Sequence, residues 1–367
     1  MLNSYPDGNY FTNLKQYTHA GQGVAVKSGS LLLKIPPDNL SLKHFGILST
    51  THTLSYAGVI GSPVFHRDSL FCRGIDVYNS NQAEFYNMSI KKILLATRME
   101  SRGARNMAQE IMAWMEKRDC SACMASFPYE KDMEDLPWTT PDLILVLGGD
   151  GTMLSVVRTL LDLQVPFLGV NLGKVGFLAE VSPLTWKEQL SMVLESGGRI
   201  SHRMMLEYSI FRKGRKKDTG VAVNELVVSR GELARIISLD LESSQGDLES
   251  IRADGLIVST PTGSTAYCIS AGGPLVHPEM QAIILTPVCV FLHDFKPMVM
   301  PASESLLLRI GNSTQEAYLT VDGQTGLVLK PGDELRVKRY HVDLQLLMCR
   351  DEGFINKLRY KKFFIRG

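Results

Sequence analysis

Between residues 88 and 198, short apolar segments alternate with segments of helical periodicity. The strand-like segments are 92–97, 142–147 and 166–170, and the helical ones are 104–115, 153–163 and one that starts at Ser182-Pro183. Ser and Pro at those positions are typical of an N-cap and a first helical turn. This alternation favours a parallel sheet with helices packed on its faces. We therefore predict an α/β, Rossmann-like domain over 88–198, with ligands at the carboxyl ends of its strands.

The pattern changes after Gly197-Gly198, where long helical periods become scarce. Short β-prone runs follow at 221–228, 236–241, 256–259, 283–292, 306–310, 317–321 and 335–337. Such runs, separated by turn residues, predict a β-rich domain of the β-sandwich type over 199–345. A last helical segment, 352–362, lies in a C-terminal tail over 346–367.

The first 87 residues keep neither period for long. They are rich in Gly, Ser, Asn and Thr, with scattered apolar runs such as 31–33. We interpret 1–87 as an N-terminal extension that is either poorly ordered or upstream of the true start of translation. A chain that begins at Met88 is then expected to fold and function.

The composition argues against several classes of protein. The 367 residues are 44% hydrophobic and 21% charged, with a net charge of +1, so nothing favours nucleic acid as a partner. Neither a membrane-spanning run nor a secretory signal is visible, and we expect a cytoplasmic chain without a membrane partner. Cys120 and Cys123 form a lone C-x-x-C pair. Because no second pair follows at zinc spacing, we interpret them as buried or half-buried thiols.

The sequence Gly-Gly-Asp-Gly-Thr occupies 148–152, directly after an apolar strand-like segment. Small residues let backbone N–H groups approach phosphate closely. The phosphate-donor candidates are Gly148, Gly149, Gly151 and Thr152. The Asp150 carboxylate could hold Mg²⁺ or accept a proton from an attacking hydroxyl, and we choose it as the general base. A tight strand-to-helix turn capped by Asp is the structural alternative.

A second motif follows the apolar residues 256–258. Residues 259–267 read Ser-Thr-Pro-Thr-Gly-Ser-Thr-Ala-Tyr, a loop of hydroxyl groups anchored in a core strand. Loops on rigid scaffolds are where binding residues collect. The two motifs together indicate phosphoryl transfer to or from a nucleotide, without a Walker loop or a G-x-G-x-x-G fingerprint.

Over roughly residues 90–367 the chain resembles the NAD kinases, because five motifs occur in that family's order. The motifs are 148–152, Asn171-Leu172-Gly173 with Gly176-Phe177-Leu178, Asn224-Glu225, 252–255 running into Tyr267, and 270–274. The resemblance implies phosphorylation of the 2′-hydroxyl of the adenosine ribose of NAD, with ATP or inorganic polyphosphate as donor and Mg²⁺ as cofactor. It also implies a homo-oligomer, either a dimer or a tetramer, and a tail that folds back onto the first domain.

The resemblance also assigns the NAD-binding residues. The Asn224 amide would bond an adenine edge, the Glu225 carboxylate would accept from a ribose diol, and Tyr267 offers a ring for stacking. The remaining NAD contacts are Asp150, Gly151, Arg235, Arg252, Asp254, Thr262, Thr265, Ala266, Cys268, Ile269, Ser270 and Gln324. Arg252 and Asp254, on one strand face, could instead form a surface ion pair. No metal-ligating residue is assigned.

One segment departs from the family pattern. The family usually carries His before an Arg-Pro pair, whereas this chain has Phe291 and then Lys296 at those positions. His293 lies two residues further on and would face the other side of a strand. The donor, or the affinity for it, could differ as a result.

Two other functions fit parts of the sequence. A lipid or sugar kinase could share the glycine-aspartate turn, but it would lack Asn224-Glu225 and the 259–267 loop. A non-catalytic dinucleotide sensor would have lost Asp150. The sequence leaves open ATP against polyphosphate and NAD against NADH.

Overall fold

In this computed structural model, two compact units are present, Met1–Tyr78 and Asn79–Gly367. The described residues are 24–28, 31–35, 85–86, 89–127, 140–173, 176–231, 235–291, 295–314, 316–349 and 353–363. In the first unit, β1 (Val24–Ser28) pairs antiparallel with β2 (Leu31–Ile35). The predicted extension, 1–87, otherwise lies almost wholly outside the described residues.

The second unit contains a seven-stranded sheet in the order β3-β8-β20-β7-β6-β4-β5. Its strands, labelled in chain order, are β3 (Phe85–Tyr86), β4 (Lys92–Arg98), β5 (Ser121–Phe127), β6 (Leu143–Leu147), β7 (Phe167–Val170), β8 (Gly198–Arg203) and β20 (Leu344–Met348). The five neighbouring strands β5, β4, β6, β7 and β20 are parallel. β8 pairs antiparallel with β20, and β3 pairs antiparallel with β8. The predicted parallel α/β arrangement is confirmed.

Helices cover both faces of this sheet. They are α1 (Arg102–Glu116), α2 (Asp150–Leu160) and α3 (Trp186–Ser196). Because side chains alternate along a strand, Ile93 and Leu95 pack with α1 and α3, whereas Leu94 and Ala96 pack with α2. The Ser101 hydroxyl caps α1 by accepting from the Ala104 amide at 3.2 Å.

The predicted start of α3 at Ser182-Pro183 is wrong. The Ser182 hydroxyl accepts from the Leu184 amide at 3.2 Å, and the Ser182 carbonyl accepts from the Thr185 amide at 3.1 Å. Ser182 therefore closes a local turn, as hydroxyl side chains often do, and the helix begins only at Trp186.

The second sheet has eleven strands, all antiparallel. They are β9 (Leu206–Arg212), β10 (Arg215–Ala222), β11 (Glu225–Arg230), β12 (Ile237–Ser243), β13 (Gly246–Ser259), β14 (Ala282–Val290), β15 (Met298–Pro301), β16 (Leu306–Ile310), β17 (Ala317–Val321), β18 (Thr325–Leu329) and β19 (Glu334–Arg339). The first half of β13 pairs with β12, and its second half lies between β11 and β14. One apolar core, which includes Leu239, Leu256 and Leu319, is enclosed by these strands. The predicted β-rich part is confirmed.

Three strands lie outside the domain ranges that we predicted. β8 falls almost wholly in the range given to the β-rich domain, and β20 crosses the boundary between that range and the tail, yet both pair in the first sheet. β3 precedes Met88 and pairs with β8. A short strand carries no sequence signal for the sheet in which it pairs, so the pattern alone could not assign these strands.

Short helical elements complete the fold. A 3-10 turn (Thr262–Thr265) and the helix α4 (Tyr267–Ser270) follow β13, and α5 (Phe354–Tyr360) lies within the predicted segment 352–362. No helix of the described residues is long and apolar enough to cross a membrane. Cys120 is buried and Cys123 is half-buried, as the sequence indicated.

Candidate active site

The Asp150 carboxylate lies where β6 ends and α2 begins, with Gly149 as the helix N-cap. Three backbone amides donate to it: Phe177 to Oδ2 at 2.7 Å, and Leu178 and Ala179 to Oδ1 at 3.0 and 3.2 Å. These bonds fix the orientation of the carboxylate and stabilise its charge. An ionised carboxylate has about four lone-pair sites, so one acceptor position is left for another hydrogen bond.

The glycines of the 148–152 turn have different roles. The Gly148 amide donates to the Val170 carbonyl at 2.9 Å, and a Cβ atom there would overlap the Thr152 side chain. Gly148 therefore has a structural role in the turn. A Cβ atom at Gly149 would have no neighbour within 4 Å, so space is open in front of the helix N-terminus. The first amides of a helix lack intrahelical partners and carry partial positive charge, which suits phosphate.

Val223 and Asn224 form a bend between β10 and β11, and Glu225 begins β11, whereas the sequence predicted one continuous strand over 221–228. The Asn224 carbonyl accepts from the Thr260 amide at 2.8 Å. A Cβ atom at Gly263 would overlap the same carbonyl, so only glycine allows this close approach. The bend and the start of the 260–270 loop are thus held against each other.

The Glu225 side chain is buried, with 5% of its residue surface exposed. Burial and the nearby Asp322 charge raise the pKa of Glu225 to about 8, against a hydrogen bond with the Tyr267 backbone that lowers it. Among the described residues, Oε2 of Glu225 has no hydrogen-bond partner. Buried polar atoms normally have a hydrogen-bond partner, and a bound ligand could supply the partner for this oxygen.

The 260–270 loop combines fixed and available groups. Tyr267 is 44% exposed, whereas Cys268 lies in a small core with its Sγ atom 3.3 Å from Oγ1 of Thr286. Cys268 can therefore contact a ligand only through its backbone. Oγ1 of Thr262 is buried and, within the described part of the chain, has no hydrogen-bond partner.

Gln324 lies beside the 148–152 turn. Its Nε2 atom donates to the Gly151 carbonyl at 2.7 Å, and its Oε1 atom accepts from Nη2 of Arg158 at 2.6 Å. Nη1 of Arg158 donates to Oδ2 of Asp322 at 2.7 Å. Sequence reasoning did not single out Arg158 or Asp322. The available signals were that Arg158 follows Asp150 by about two helical turns and that Asp322 shares a short turn with Gln324.

Arg252 and Asp254 form a separate group. Asp254 pairs with Arg230 at 3.2 Å, so the ion pair that the sequence suggested between Arg252 and Asp254 is replaced by another. The Arg252 guanidinium lies 5.4 Å from the centroid of the Phe291 ring, the residue that departs from the family pattern. Arg235 is exposed and is the first residue of the described range 235–291. His293 lies outside the described residues.

The C-terminal helix α5 brings two ammonium groups to the Asp150 region. Lys357 pairs with Glu180, and Nζ of Lys361 lies 4.4 Å from the centroid of the Phe177 ring. Burial lowers the pKa of both lysines, and the Asp150 charge opposes this shift. Phe363 contacts Phe177 edge to face at 5.7 Å.

Comparisons with known proteins match both parts of this chain. The model of the ATP-NAD kinase N-terminal domain matches residues 75–199, and that of the C-terminal domain matches 223–347. An NAD kinase of Oleidesulfovibrio alaskensis is 42% identical over 274 residues, 75% of this chain and 94% of the relative. An NAD kinase of Geotalea daltonii is 36% identical over 279 residues, 74% and 98% of the two chains.

Solved structures share the fold. Yeast NADH kinase, complexed with NADH, has a TM-score of 0.67 and 25% identity over 77% of this chain and 90% of its own. An NAD kinase from Archaeoglobus fulgidus in complex with ATP has a TM-score of 0.58 and 23% identity, over 73% and 98% of the chains, which supports the fold alone.

An α/β part with a Gly-Gly-Asp turn, joined to an antiparallel β-rich part, defines the class as a small-molecule kinase. The chain belongs to the NAD kinase family. The alternatives of a lipid or sugar kinase and of a non-catalytic sensor are thereby set aside. The family match begins at residue 75, earlier than the start near residue 90 that the motifs indicated.

Proposed function

We propose that this chain transfers a phosphoryl group from ATP or polyphosphate to the 2′-hydroxyl of the adenosine ribose of NAD, with Asp150 as general base. One observation carries the proposal. A continuous set of hydrogen bonds joins the catalytic turn, through the Gly151 carbonyl, Gln324, Arg158 and Asp322, to the bend at Asn224 and Glu225. The acceptor hydroxyl and its base can therefore be held in one arrangement.

Proton transfer falls to Asp150. A secondary hydroxyl is a poor nucleophile at neutral pH, and a carboxylate placed against it can accept its proton as the phosphorus–oxygen bond forms. Three amides already orient this carboxylate, so the remaining lone-pair site is aimed before the substrate arrives. Such general-base assistance accelerates a reaction by about 10²–10⁴-fold.

Recognition of NAD rests on the β-rich part. Oε2 of Glu225 and Oγ1 of Thr262 are buried polar atoms that a ribose or amide group would satisfy. Because the pKa of Glu225 lies near 8, its side chain carries a proton at neutral pH in the ligand-free chain and can donate as well as accept. The half-exposed Tyr267 ring is available for stacking.

The phosphate donor is proposed to approach the open space at Gly149. The amides at the start of α2 face that space and would bind phosphate oxygens. The described residues contain no group of three or more His, Cys, Asp or Glu that could hold a metal ion. Mg²⁺ is commonly bound by one or two carboxylates together with the substrate's phosphates, so the phosphate donor would itself supply most of the oxygen ligands of the ion. Bound there, the ion would neutralise phosphate charge.

We also propose that the protein is a homo-oligomer, a dimer or a tetramer. Met298 and Val299 lie on the edge strand β15 and are 37% and 47% exposed. Exposed apolar side chains on a sheet edge favour association. Light scattering of the purified protein would give the mass, and a monomer at all concentrations would contradict the proposal.

An assay of the purified full chain tests the proposed function. NAD or NADH is supplied with Mg²⁺ and either ATP or polyphosphate, and the 2′-phosphorylated product is quantified. Asp150→Asn is compared with Asp162→Asn, an exposed carboxylate just beyond the other end of α2. Product that depends on Asp150 but not on Asp162 is expected. Absence of product with either donor and either dinucleotide would contradict the proposal.

A further inference from the structure

Asp322 is a buried carboxylate that the proposed chemistry does not use. It lies in the tight turn between β17 and β18, in the left-handed backbone region with a φ of 50°, and its side chain is 0% exposed. Its two oxygens accept from three consecutive amides: Val223 at 3.1 Å, Asn224 at 2.7 Å and Glu225 at 3.1 Å. The carboxylate therefore fixes the backbone of the proposed dinucleotide-binding bend.

Arg158 connects this carboxylate to the catalytic turn. One guanidinium nitrogen donates to Asp322 at 2.7 Å, and a second donates to Gln324 at 2.6 Å. Gln324 in turn donates to the Gly151 carbonyl, next to Asp150, at 2.7 Å. Arg158 also lies on α2, the helix that Asp150 begins. The Arg158 guanidinium is thus connected to Asp150 in two ways, covalently through the backbone of α2 and by hydrogen bonds through Gln324 and the Gly151 carbonyl.

We propose that Arg158 and Asp322 are positioning residues that set the distance between the NAD-binding bend and the Asp150 carboxylate. The inference rests on the proposed function, since it concerns the geometry of the same reaction. Neither side chain needs to contact the substrate. Asp322 fixes where Asn224 and Glu225 present the ribose, and Arg158 locks that bend to the helix that carries the base.

The chemistry of the two groups supports a positional role. A buried carboxylate needs satisfied oxygens and a paired cation; three backbone amides bond the Asp322 oxygens, and Arg158 supplies the cation. The planar guanidinium forms two bonds in fixed directions, which a lysine cannot reproduce. A misplacement of about 1 Å between reacting groups can cost about 100-fold in rate. Loss of the fork should therefore reduce turnover more than it reduces folding.

The matched control is Arg212, which makes a similar pair elsewhere in the β-rich part. Its Nε and Nη2 atoms donate to Asp333 at 2.8 and 2.6 Å, and the Asp333 side chain is 1% exposed. Arg158→Lys and Arg212→Lys each keep the charge and remove a guanidinium that forms two side-chain hydrogen bonds, at least one of them to a buried carboxylate. Both should lower the melting temperature, so stability alone does not separate them.

Steady-state kinetics with NAD and the productive donor separate the two variants. Arg158→Lys is expected to lower kcat by about 10- to 100-fold with a smaller change in the dissociation constant for NAD, whereas Arg212→Lys stays within about twofold of the parent kcat. Equal kcat losses in both variants, or a kcat within about twofold for Arg158→Lys, would overturn the inference. If the parent chain itself forms no product, the result contradicts the proposed function.

An additional variant keeps the inference testable if Arg158→Lys does not fold. Gln324 is exposed, so Gln324→Ala should fold while it breaks the link to Gly151. A kcat loss of about 10-fold with an unchanged melting temperature is expected. An unchanged kcat in that variant would overturn the link through Gln324. Where both single variants fold, their effects on kcat should be non-additive, because both act through one set of contacts.

Discussion

A side chain at Gly176 would occupy the space that the Asp150 carboxylate fills. The ideal Cβ position at Gly176 overlaps Oδ1 of Asp150, and the next three residues donate their amides to that carboxylate. The glycine is therefore what lets residues 177–179 approach closely enough to orient the proposed base.

Gly176→Ala is expected to reduce product formation by about 100-fold, because its methyl group would displace the Asp150 carboxylate. Gly173→Ala in the same segment is the control, since a Cβ atom there would come no closer than 3.9 Å to another side chain. Steady-state rates of both variants provide the measurement. Equal rates for the two would show that the orientation of Asp150 does not depend on Gly176.

Asp150→Asn keeps the shape of the side chain but removes its ability to accept a proton. We expect the rate to fall by about 100-fold or more, while calorimetry shows that NAD still binds. The amide of Asn would also place N–H groups against the amides of residues 177–179, so the melting temperature should be measured alongside. A variant with near-full turnover would sink the assignment of Asp150 as the base.

Glu225→Ala and Tyr267→Ala are expected to weaken NAD binding more than donor binding, because both residues lie in the β-rich part. Loss of a stacking ring costs about 1–3 kcal/mol per base, so NAD affinity should fall roughly 10-fold or more for Tyr267→Ala. Tyr267→Phe keeps the ring and should bind nearly as the parent. Calorimetry that finds unchanged NAD affinity in both alanine variants would remove these positions from the site.

The raised pKa of Glu225 predicts a pH-dependent stability. The folded, ligand-free chain keeps the Glu225 proton up to a pKa of about 8, whereas the unfolded chain loses it near 4.5. Proton binding therefore favours the folded state, fully below pH 4.5, and this contribution is lost as the pH rises to about 8. The free energy of unfolding should fall by up to about 1.4 kcal/mol per pH unit across that window from this group alone.

Urea unfolding at several pH values without NAD measures this slope. Glu225→Gln should remove the contribution, whereas the exposed control Glu249→Gln should leave the slope of the parent. If the parent and Glu225→Gln lose stability equally over the window, Glu225 is not the group that titrates.

A chain that begins at Asn79 is expected to fold and turn over NAD like the full chain. The sequence placed this start at Met88, but β3 at Phe85–Tyr86 pairs with β8, and the family match begins at residue 75. A chain that begins at Met88 would lose that strand and expose the β8 edge, and it should melt at a lower temperature. If the Asn79 chain were inactive while the full chain worked, the first unit would be required for catalysis.

Much of the fold could be predicted because apolar strands and helical periods are local signals. The segments at 306–310 and 317–321 match β16 and β17 residue for residue. Asp150 could be placed at a strand end for the same reason. The start of α3 could not, because the Ser182 hydroxyl forms a turn instead of a cap.

Contacts between distant residues limited the prediction of the site. Arg158 and Asp322 are 164 positions apart, and no local pattern indicates that a helix face and a hairpin turn will meet. The interruption between β10 and β11 at Asn224 also depends on a distant residue, Asp322, which accepts from the Asn224 amide. Residues 221–228 are themselves apolar enough to form one strand. The pair Asn224-Glu225, proposed to bind NAD, could be singled out from its motif, but the contacts that hold it in place were visible only in the structure.

The position of β20 determines when the first sheet can be completed during synthesis. β20 lies between β7 and β8, so the parallel strands and the antiparallel edge are joined only by residues 344–348. All strands of the β-rich part lie earlier in the chain, between Leu206 and Arg339. A ribosome must therefore finish the entire β-rich part before the strand that closes this sheet is available, and α5, with the lysines beside Asp150, comes later still. A nascent chain can assemble its β-rich part while the sheet beside the proposed base is still incomplete.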